Sequence, residues 1–180
     1  MSRRLKVSAA QLGPINLADS RASVVKRMVE MLKEADSRGS KFVVFPELAL
    51  TTFFPRYWME DQKEVDKYFE VGNLGFNVWK MFKDDVIVGQ CICNDRRWPE
   101  TFRVMGLKGA EMVVLGYNTP SDNVYAPHEP PYLRVFHHNL SIQAAAYQNG
   151  IWVVAVAKAG KEDGFWLHGG SAIVAPTGVL

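Results

Sequence analysis

Residues 86–107 read VIVGQCICNDRRWPETFRVMGL, and this stretch joins a predicted buried strand directly to a predicted helix. Val86–Cys93 is largely apolar, which is typical of a strand inside a sheet. Pro99 suits the first turn of a helix that continues to Leu107, and Gly109 ends that helix. A strand followed by a short polar turn and a helix is the building unit of α/β folds.

The same alternation continues on both sides of this unit. We predict further strands at Leu5–Leu12, Phe42–Phe45, Met112–Leu115, Ile151–Ala157 and Ser171–Ala175, and further helices at about Asp19–Ser37, Trp58–Glu70 and Tyr132–Gln148. Short apolar runs that alternate with amphipathic stretches indicate an α/β layered fold. At 180 residues the chain is long enough for one domain with a real core, so we expect a single domain over residues 1–180.

Charge and hydropathy exclude several classes of protein. The formal net charge is +2 and the basic residues are scattered, so the basic stripe of a nucleic-acid-binding protein is missing. The longest clean apolar run is Ile151–Ala157, which is too short to cross a bilayer. Val7–Gly13 is too short and too polar for the core of a secretory signal. We therefore expect a cytoplasmic protein that binds neither nucleic acid nor membrane.

Cys93 stands at the end of the predicted strand, and Arg96, Arg97 and a helix start follow it directly. Cations and helix N-terminal N–H groups favour thiolate over thiol, so we expect this position to lower the pKa of its cysteine. Cys91 lies inside the strand without those neighbours and suits core packing. In the alternative interpretation both cysteines are core residues, because free cysteine is commonly buried. The remaining sequence completes no zinc site or disulfide framework, and we predict no metal and no cofactor.

Glu47 follows the predicted strand Phe42–Phe45, just after Pro46. In α/β folds, side chains that come directly after the carboxyl end of a strand commonly form the site. A carboxyl group held against an apolar wall has a raised pKa, which suits a general base. The alternative is a solvated loop glutamate.

Several motifs together resemble the nitrilase superfamily of carbon–nitrogen hydrolases, and most closely the N-carbamoyl-D-amino acid hydrolases. They are Gln11-Leu12-Gly13-Pro14-Ile15, the stretch from Phe45 to Arg56, the stretch from Cys93 to Glu100, Gly116-Tyr117-Asn118-Thr119-Pro120, Tyr147-Gln148-Asn149-Gly150 and Val174-Ala175-Pro176-Thr177-Gly178. The similarity covers nearly the whole chain in the family's order. It implies an α-β-β-α sandwich, incomplete in this chain, that assembles into homo-oligomers.

The resemblance also implies a reaction. Cys93 would attack the ureido carbonyl of an N-carbamoyl-D-amino acid or a related amide, and Glu47 would act as the base. Ammonia would leave, and water would then release carbon dioxide and the amino acid. A nitrilase, an aliphatic amidase or a ureidopropionase is the alternative within the family.

Five further residues are expected to bind the substrate. Arg96 and Arg97 would bind its carboxylate, since a guanidinium group forms paired hydrogen bonds with a carboxylate. The backbone N–H of Asn94 would help hold the oxyanion. Asn118 and Thr119 resemble the family's substrate-side loop.

The family pattern also contains a lysine between the glutamate and the cysteine, in a Lys-x-His-Leu-like segment. No lysine between Glu47 and Cys93 has that context. We therefore expect a family segment to be missing near residues 67–72, and the family's last strands to be missing after Leu180. The resulting alternative to an active hydrolase is a non-catalytic isoform or pseudoenzyme that associates with full-length partners.

Overall fold

The computed structural model describes residues 3–57, 59–82, 86–122 and 127–180. Within these ranges the strands are β1 Val7–Ala9, β2 Phe42–Val44, β3 Val78–Met81, β4 Val86–Ile92, β5 Met112–Tyr117, β6 Trp152–Ala157, β7 Ala159–Glu162, β8 Phe165–His168 and β9 Ala172–Val174. The helices are α1 Arg21–Ser37, α2 Gln62–Val65, α3 Pro99–Leu107 and α4 Pro131–Asn149, with short 3₁₀ turns at Phe54–Arg56 and Cys93–Arg97.

The central sheet has the strand order β3-β4-β5-β6-β9. Its middle strands β4, β5 and β6 run parallel, whereas β3 and β9 pair antiparallel at the two edges. The carboxyl ends of β4 and β5 therefore lie side by side, which brings Cys93 next to the residues that follow Tyr117. This edge of the sheet is where a site is expected in such a fold.

Helices α3 and α4 cover one face of the central sheet. Phe102 and Met105 of α3 and Ile142 of α4 are buried there against β4, β5 and β6. Gly89 of β4 admits this packing, because a side chain at that position would clash with the Met105 sulfur. The helices bury their apolar stripes against the sheet, as amphipathic surface helices do.

The other face of the central sheet packs against the parallel pair β1–β2. Val44 of β2 joins valines and a methionine of the central sheet in a second apolar cluster. Helix α1 lies outside this pair, where Val24 contacts Leu12 and Ile15. The layers therefore follow the order α1, β1–β2, central sheet, α3–α4, and the predicted α-β-β-α fold is confirmed.

Several predicted elements differ from the observed ones. The surface helix expected over Trp58–Glu70 is reduced to the single turn α2, and Trp58 lies outside the described residues. Strand β3 and the hairpin β7–β8 were not predicted. Helix α3 has the predicted bounds, and Ser20 caps α1 by accepting a hydrogen bond from the Ser23 N–H. No helix among the described residues has the length and apolar character needed to cross a membrane.

The packing of α3 predicts a difference in stability between two of its residues. Phe102 is 1% exposed, so Phe102→Ala should lower the free energy of unfolding by about 3–5 kcal/mol. Leu107 on the same helix is 72% exposed, and Leu107→Ala should change it by less than about 0.5 kcal/mol. Urea denaturation followed by circular dichroism measures both. Equal losses would contradict the proposed orientation of α3.

Candidate active site

Cys93 begins the 3₁₀ turn that follows β4, and its backbone is left-handed with φ of 45°. This conformation is unusual for a residue other than glycine and is found most often where a site requires it. Asp95 stabilises the turn, because its carboxylate accepts a hydrogen bond of 2.9 Å from the Ile92 N–H. The turn directs the chain away from the sheet immediately after the thiol.

Glu47 reaches the same place from the neighbouring layer. It follows β2, and the next residue, Leu48, also has a positive φ, of 49°. The backbone of Glu47 lies directly on Gly116 of β5: a Cβ at Gly116 would be 2.7 Å from the Glu47 nitrogen. Glycine at this position therefore permits the close approach of the two layers that brings Glu47 to Cys93.

Glu47 and Cys93 lie close enough for each to shift the pKa of the other. Burial raises the pKa of the Glu47 carboxyl to about 7, against which Cys93 and Arg96 act in the opposite direction. The pKa of the Cys93 thiol is raised to about 11, mainly by burial and also by the neighbouring Glu47. The prediction that the Cys93 thiol has a lowered pKa is therefore wrong, because the effect of burial outweighs that of the Arg96 charge. The pair consists of a neutral thiol and a base that ionises near neutral pH.

Cys91 differs from Cys93 as predicted. It is 4% exposed and packs in the core beneath α3. Burial raises the pKa of its thiol well above the ordinary range. Cys91 therefore has neither the access nor the base that Cys93 has.

Asn118 and Thr119 lie just past the end of β5, and both are buried. The Asn118 amide donates to the Glu47 carbonyl at 3.0 Å, and its oxygen accepts from the Lys158 N–H at 2.9 Å. The Cys93 sulfur lies 3.8 Å from the Asn118 carbonyl oxygen. Asn118 therefore links both members of the pair to the end of β6.

The two arginines after Cys93 occupy different environments. Arg96 is 5% exposed, and it donates to the Cys93 carbonyl at 2.6 Å and to the Thr119 hydroxyl at 2.9 Å. Its guanidinium carbon also lies 4.7 Å from the centre of the Tyr117 ring. Arg97 is exposed. Arg96 therefore supports the turn, and Arg97 has the freedom to meet a ligand.

A cavity of about 240 Å³ opens beside the thiol. All the substrate-binding residues expected from the sequence line it, namely Asn94, Arg96, Arg97, Asn118 and Thr119, together with Cys93. The remaining lining residues are Phe53, Pro55, Arg56, Pro120, Asp122, Arg134 and Phe165. The cavity is thus largely polar near the sulfur and carries aromatic side chains on the side of the Phe53–Arg56 segment.

The sequence interpretation missed a buried ion pair beside the site. Lys158 and Glu162 are both fully buried, and the lysine nitrogen lies 2.8 Å from the carboxylate. Lys158 also donates to the Thr51 carbonyl at 3.0 Å, and its charge lowers the pKa of Glu47. The signal that could have found it is its position directly after the apolar run of β6, at the same sheet edge as Cys93.

The lysines between Glu47 and Cys93 do not reach the cavity in the described part of the chain. Lys63, Lys67 and Lys80 are exposed, and Lys83 lies outside the described residues. Of the adjacent His137 and His138, His138 is buried, with its ring centre 4.2 Å from that of Tyr117. The described residues contain no cluster of three or more side chains suited to hold a metal ion.

Comparison with known families and curated proteins identifies relatives of this chain. The family model for carbon–nitrogen hydrolases matches residues 54–180. A citrullinase of Francisella tularensis is 39% identical over 88 residues, which are 49% of this chain and 29% of the citrullinase. A nitrilase of Pyrococcus abyssi is 31% identical over 109 residues, which are 61% of this chain and 36% of the nitrilase. The chain thus matches only about a third of each relative.

Solved structures share the fold at low sequence identity. A carbon–nitrogen hydrolase of Helicobacter pylori superposes with a TM-score of 0.79 at 18% identity, over 97% of this chain and 83% of that one. A mutant amidase of Nesterenkonia sp., with an acetamide group added covalently at its active-site cysteine, gives a TM-score of 0.74 at 15% identity. That superposition covers 97% of this chain and 84% of the amidase.

The Glu47–Cys93 pair predicts how thiol reactivity depends on pH. Cys93 should react with iodoacetamide faster than Cys91, and its rate should rise as pH passes about 7, because Glu47 then becomes the base that accepts the thiol proton. Peptide mapping by mass spectrometry measures both rates. In Glu47→Gln the step near pH 7 should disappear. A wild-type rate that stays flat between pH 6 and 8 would contradict the pairing.

The contact between Gly116 and Glu47 predicts a large effect from one methyl group. Gly116→Ala should displace Glu47 and slow the alkylation of Cys93 by about tenfold or more, since a shift of about 1 Å can cost 10²-fold in a positioned reaction. Gly72→Ala is the matched control, because a Cβ there meets no atom within 4 Å. Equal rates in the two variants would show that the approach of Glu47 does not depend on Gly116.

Proposed function

Because this chain belongs to the carbon–nitrogen hydrolase family, we propose that it acts on a non-peptide carbon–nitrogen bond, with Cys93 as nucleophile and Glu47 as base. The observation that supports this most directly is that Asn118 holds the two residues together, with its carbonyl 3.8 Å from the Cys93 sulfur and its amide 3.0 Å from the Glu47 carbonyl, so that each shifts the pKa of the other. A carboxyl group whose pKa is about 7 is half ionised at neutral pH. It can therefore both accept and return a proton in one catalytic cycle.

The proposed reaction has two steps. The Cys93 sulfur attacks the carbonyl carbon while Glu47 takes the thiol proton and passes it to the leaving nitrogen, so that ammonia departs and a thioester remains. Glu47 then removes a proton from water, which attacks the thioester and restores the thiol. A carbamate released from an N-carbamoyl substrate loses carbon dioxide to give the free amino acid.

The cavity supports a substrate that carries a carboxylate. Arg97 is exposed beside Cys93 and lines the cavity, and a guanidinium group binds a carboxylate through paired hydrogen bonds. We propose an N-carbamoyl-D-amino acid, in which the ureido group and the carboxylate are close together. The similarity to a citrullinase supports a ureido substrate, because citrulline also joins a ureido group to an amino acid. A nitrilase or a simple amidase is the alternative. Arg97 favours this alternative less, because a plain nitrile or amide has no carboxylate for the guanidinium group to bind.

The second candidate is a non-catalytic chain that associates with other copies or with longer relatives. It is favoured by the charges around the thiol: among the described residues that line the cavity, the cations are arginines and none is a lysine. Losing one group that stabilises the oxyanion commonly costs 10²–10³-fold in rate. We therefore propose that this chain is weakly active or inactive by itself.

Assembly into homo-oligomers is part of the same proposal. Tyr132, Phe136 and Leu140 lie four residues apart along α4, and each is more than half exposed. Residues at this spacing share one face of a helix. An apolar stripe of this kind suits contact with a second copy of the chain. We propose that α4 packs across the interface between subunits.

The proposed function is tested by ammonia release from N-carbamoyl-D-alanine. We expect this chain to be at least about 10²-fold slower than a chimera in which a lysine-containing family segment is inserted between Lys67 and Gly72, because triad members act as a unit. Cys93→Ser in both proteins gives the background rate. If the chimera is no faster than its Cys93→Ser form, the proposed substrate is wrong.

Equal rates for this chain and the chimera would contradict the proposed loss of activity instead. The charge on Lys158, which already acts on Glu47, would then be sufficient for turnover. Size-exclusion chromatography of both proteins is the accompanying control, so that differences in assembly are separated from differences in chemistry.

A further inference from the structure

The cavity beside Cys93 carries more positive than negative charge. Among the described residues that line it, the cations are Arg56, Arg96, Arg97 and Arg134, and the one carboxylate is Asp122. Arg56 is neutralised internally, because it pairs with Glu162 and Asp163. This excess indicates that the cavity receives an anion.

Arg134 is a largely enclosed cation with an incomplete set of partners among the described residues. It projects from the end of the first turn of α4, and its side chain is only 15% exposed. Its buried Nε has no hydrogen-bond partner among the residues that the structure describes. The carboxylate of Glu129 is 3.7 Å away, which is within range for an ion pair but too far for a hydrogen bond. A largely enclosed guanidinium with an unused donor is costly unless a ligand completes its surroundings.

Arg97 approaches the same space from the turn after Cys93. The pKa of Arg134 is lowered by burial and, in addition, by the positive charge of Arg97, whereas Glu129 and Asp122 oppose this effect. Two guanidinium groups that face one cavity repel each other when it is empty and are both stabilised when an anion lies between them. Asp122 lines the same cavity and limits the excess charge without removing it.

We infer that Arg134 is a specificity-determining residue, which binds the carboxylate of the substrate together with Arg97. This inference rests on the proposed function, since it gives the carboxylate-bearing substrate a second contact from α4. One carboxylate has enough lone pairs for two guanidinium groups, each of which presents a planar pair of N–H donors. A neutral amide or nitrile gains nothing from Arg134, so the residue selects acidic substrates over neutral ones.

Two alkylating reagents that differ only in charge test this inference. N-iodoacetylglycine carries a carboxylate, and N-iodoacetylglycinamide is its neutral analogue with the same reactive carbon. The measured quantity is the ratio of their rates at Cys93, determined by peptide mapping and divided by the ratio for a free thiol in solution. We expect this ratio to exceed one in the wild type. It should fall by about tenfold in Arg134→Gln, as in Arg97→Gln.

Arg103→Gln is the matched control, because Arg103 lies on the exposed part of α3, away from the cavity, and should leave the ratio unchanged. Arg134→Lys retains the charge but lacks the planar pair of donors, and its ratio should fall between those of the wild type and Arg134→Gln. If Arg134→Gln does not fold, the comparison of Arg134→Lys with the wild type decides, and equal ratios overturn the inference.

Two other results would also overturn it. One is a wild-type ratio of one, which would mean that the cavity has no preference for an anion. The other is a ratio that falls in Arg97→Gln and stays unchanged in Arg134→Gln, which would make Arg134 structural. Alkylation requires no turnover, so a chain that fails to hydrolyse N-carbamoyl compounds can still show the effect, and an active chain can still lack it.

Discussion

The buried carboxylate of Glu162 is the contact on which the site depends. It is fully buried and accepts hydrogen bonds from the Ile15 N–H at 2.7 Å and the Phe53 N–H at 2.5 Å. Lys158 and Arg56 supply the charges that balance it. A charge removed from water is tolerated only when it is paired and its lone pairs are satisfied, so these partners must all be in place together. One side chain thus joins β7 to the loop after β1 and to the segment after β2.

The segment after β2 carries Glu47, and this explains how a distant ion pair affects the chemistry. Glu162 fixes the segment at Phe53 and Arg56, while Gly116 allows its beginning to rest on β5. The carboxyl of Glu47 is thereby held against the thiol of Cys93 in surroundings dry enough to raise the pKa of both groups. Burial makes the carboxyl a usable base, and the same burial keeps the thiol protonated until that base acts. Positive φ values at Leu48 and Cys93 show that the backbone bends sharply at both residues to bring this about.

Much of this arrangement follows from one rule that could be applied to the sequence. Residues that come directly after buried strands meet at one edge of the layers, and this rule predicts that Glu47 and Cys93 lie together, as they do in the structure. Asn118 was expected nearby from the family resemblance, and it contacts both residues. The rule applies equally to Lys158 directly after β6, although its neighbours Ala157 and Ala159 form no chemical motif with it. Glu162 lies on a short hairpin with little apolar alternation. The sequence signal for this hairpin was the dipeptide Asp163-Gly164, which is typical of tight turns. In the structure both residues have positive φ values, of 44° and 93°.

Other features depended on three-dimensional burial, which local sequence does not contain. The pKa of Cys93 was predicted to fall because two arginines follow it, but Arg96 turns back to the Cys93 carbonyl and the thiol is largely enclosed. Arg134 lies 41 residues beyond Cys93 and reaches the cavity only because α4 packs on the same face as α3. Its role could not be deduced from spacing, since the distance across the cavity is set by the packing of the layers.

The same network shows why Lys158 is poorly suited to stabilise an oxyanion. Its nitrogen lies 2.8 Å from Glu162 and 3.0 Å from the Thr51 carbonyl, and both partners are on the side of the buried pair. Turning it toward a carbonyl at Cys93 would leave the Glu162 carboxylate with less charge compensation in a fully buried place, which commonly costs several kcal/mol. Lys158 therefore acts on the site through its field, by holding the pKa of Glu47 below the value that burial alone would give. A direct contact with the oxyanion must come from another group, and the backbone N–H of Asn94, in the turn after β4, stays the donor that the sequence predicts.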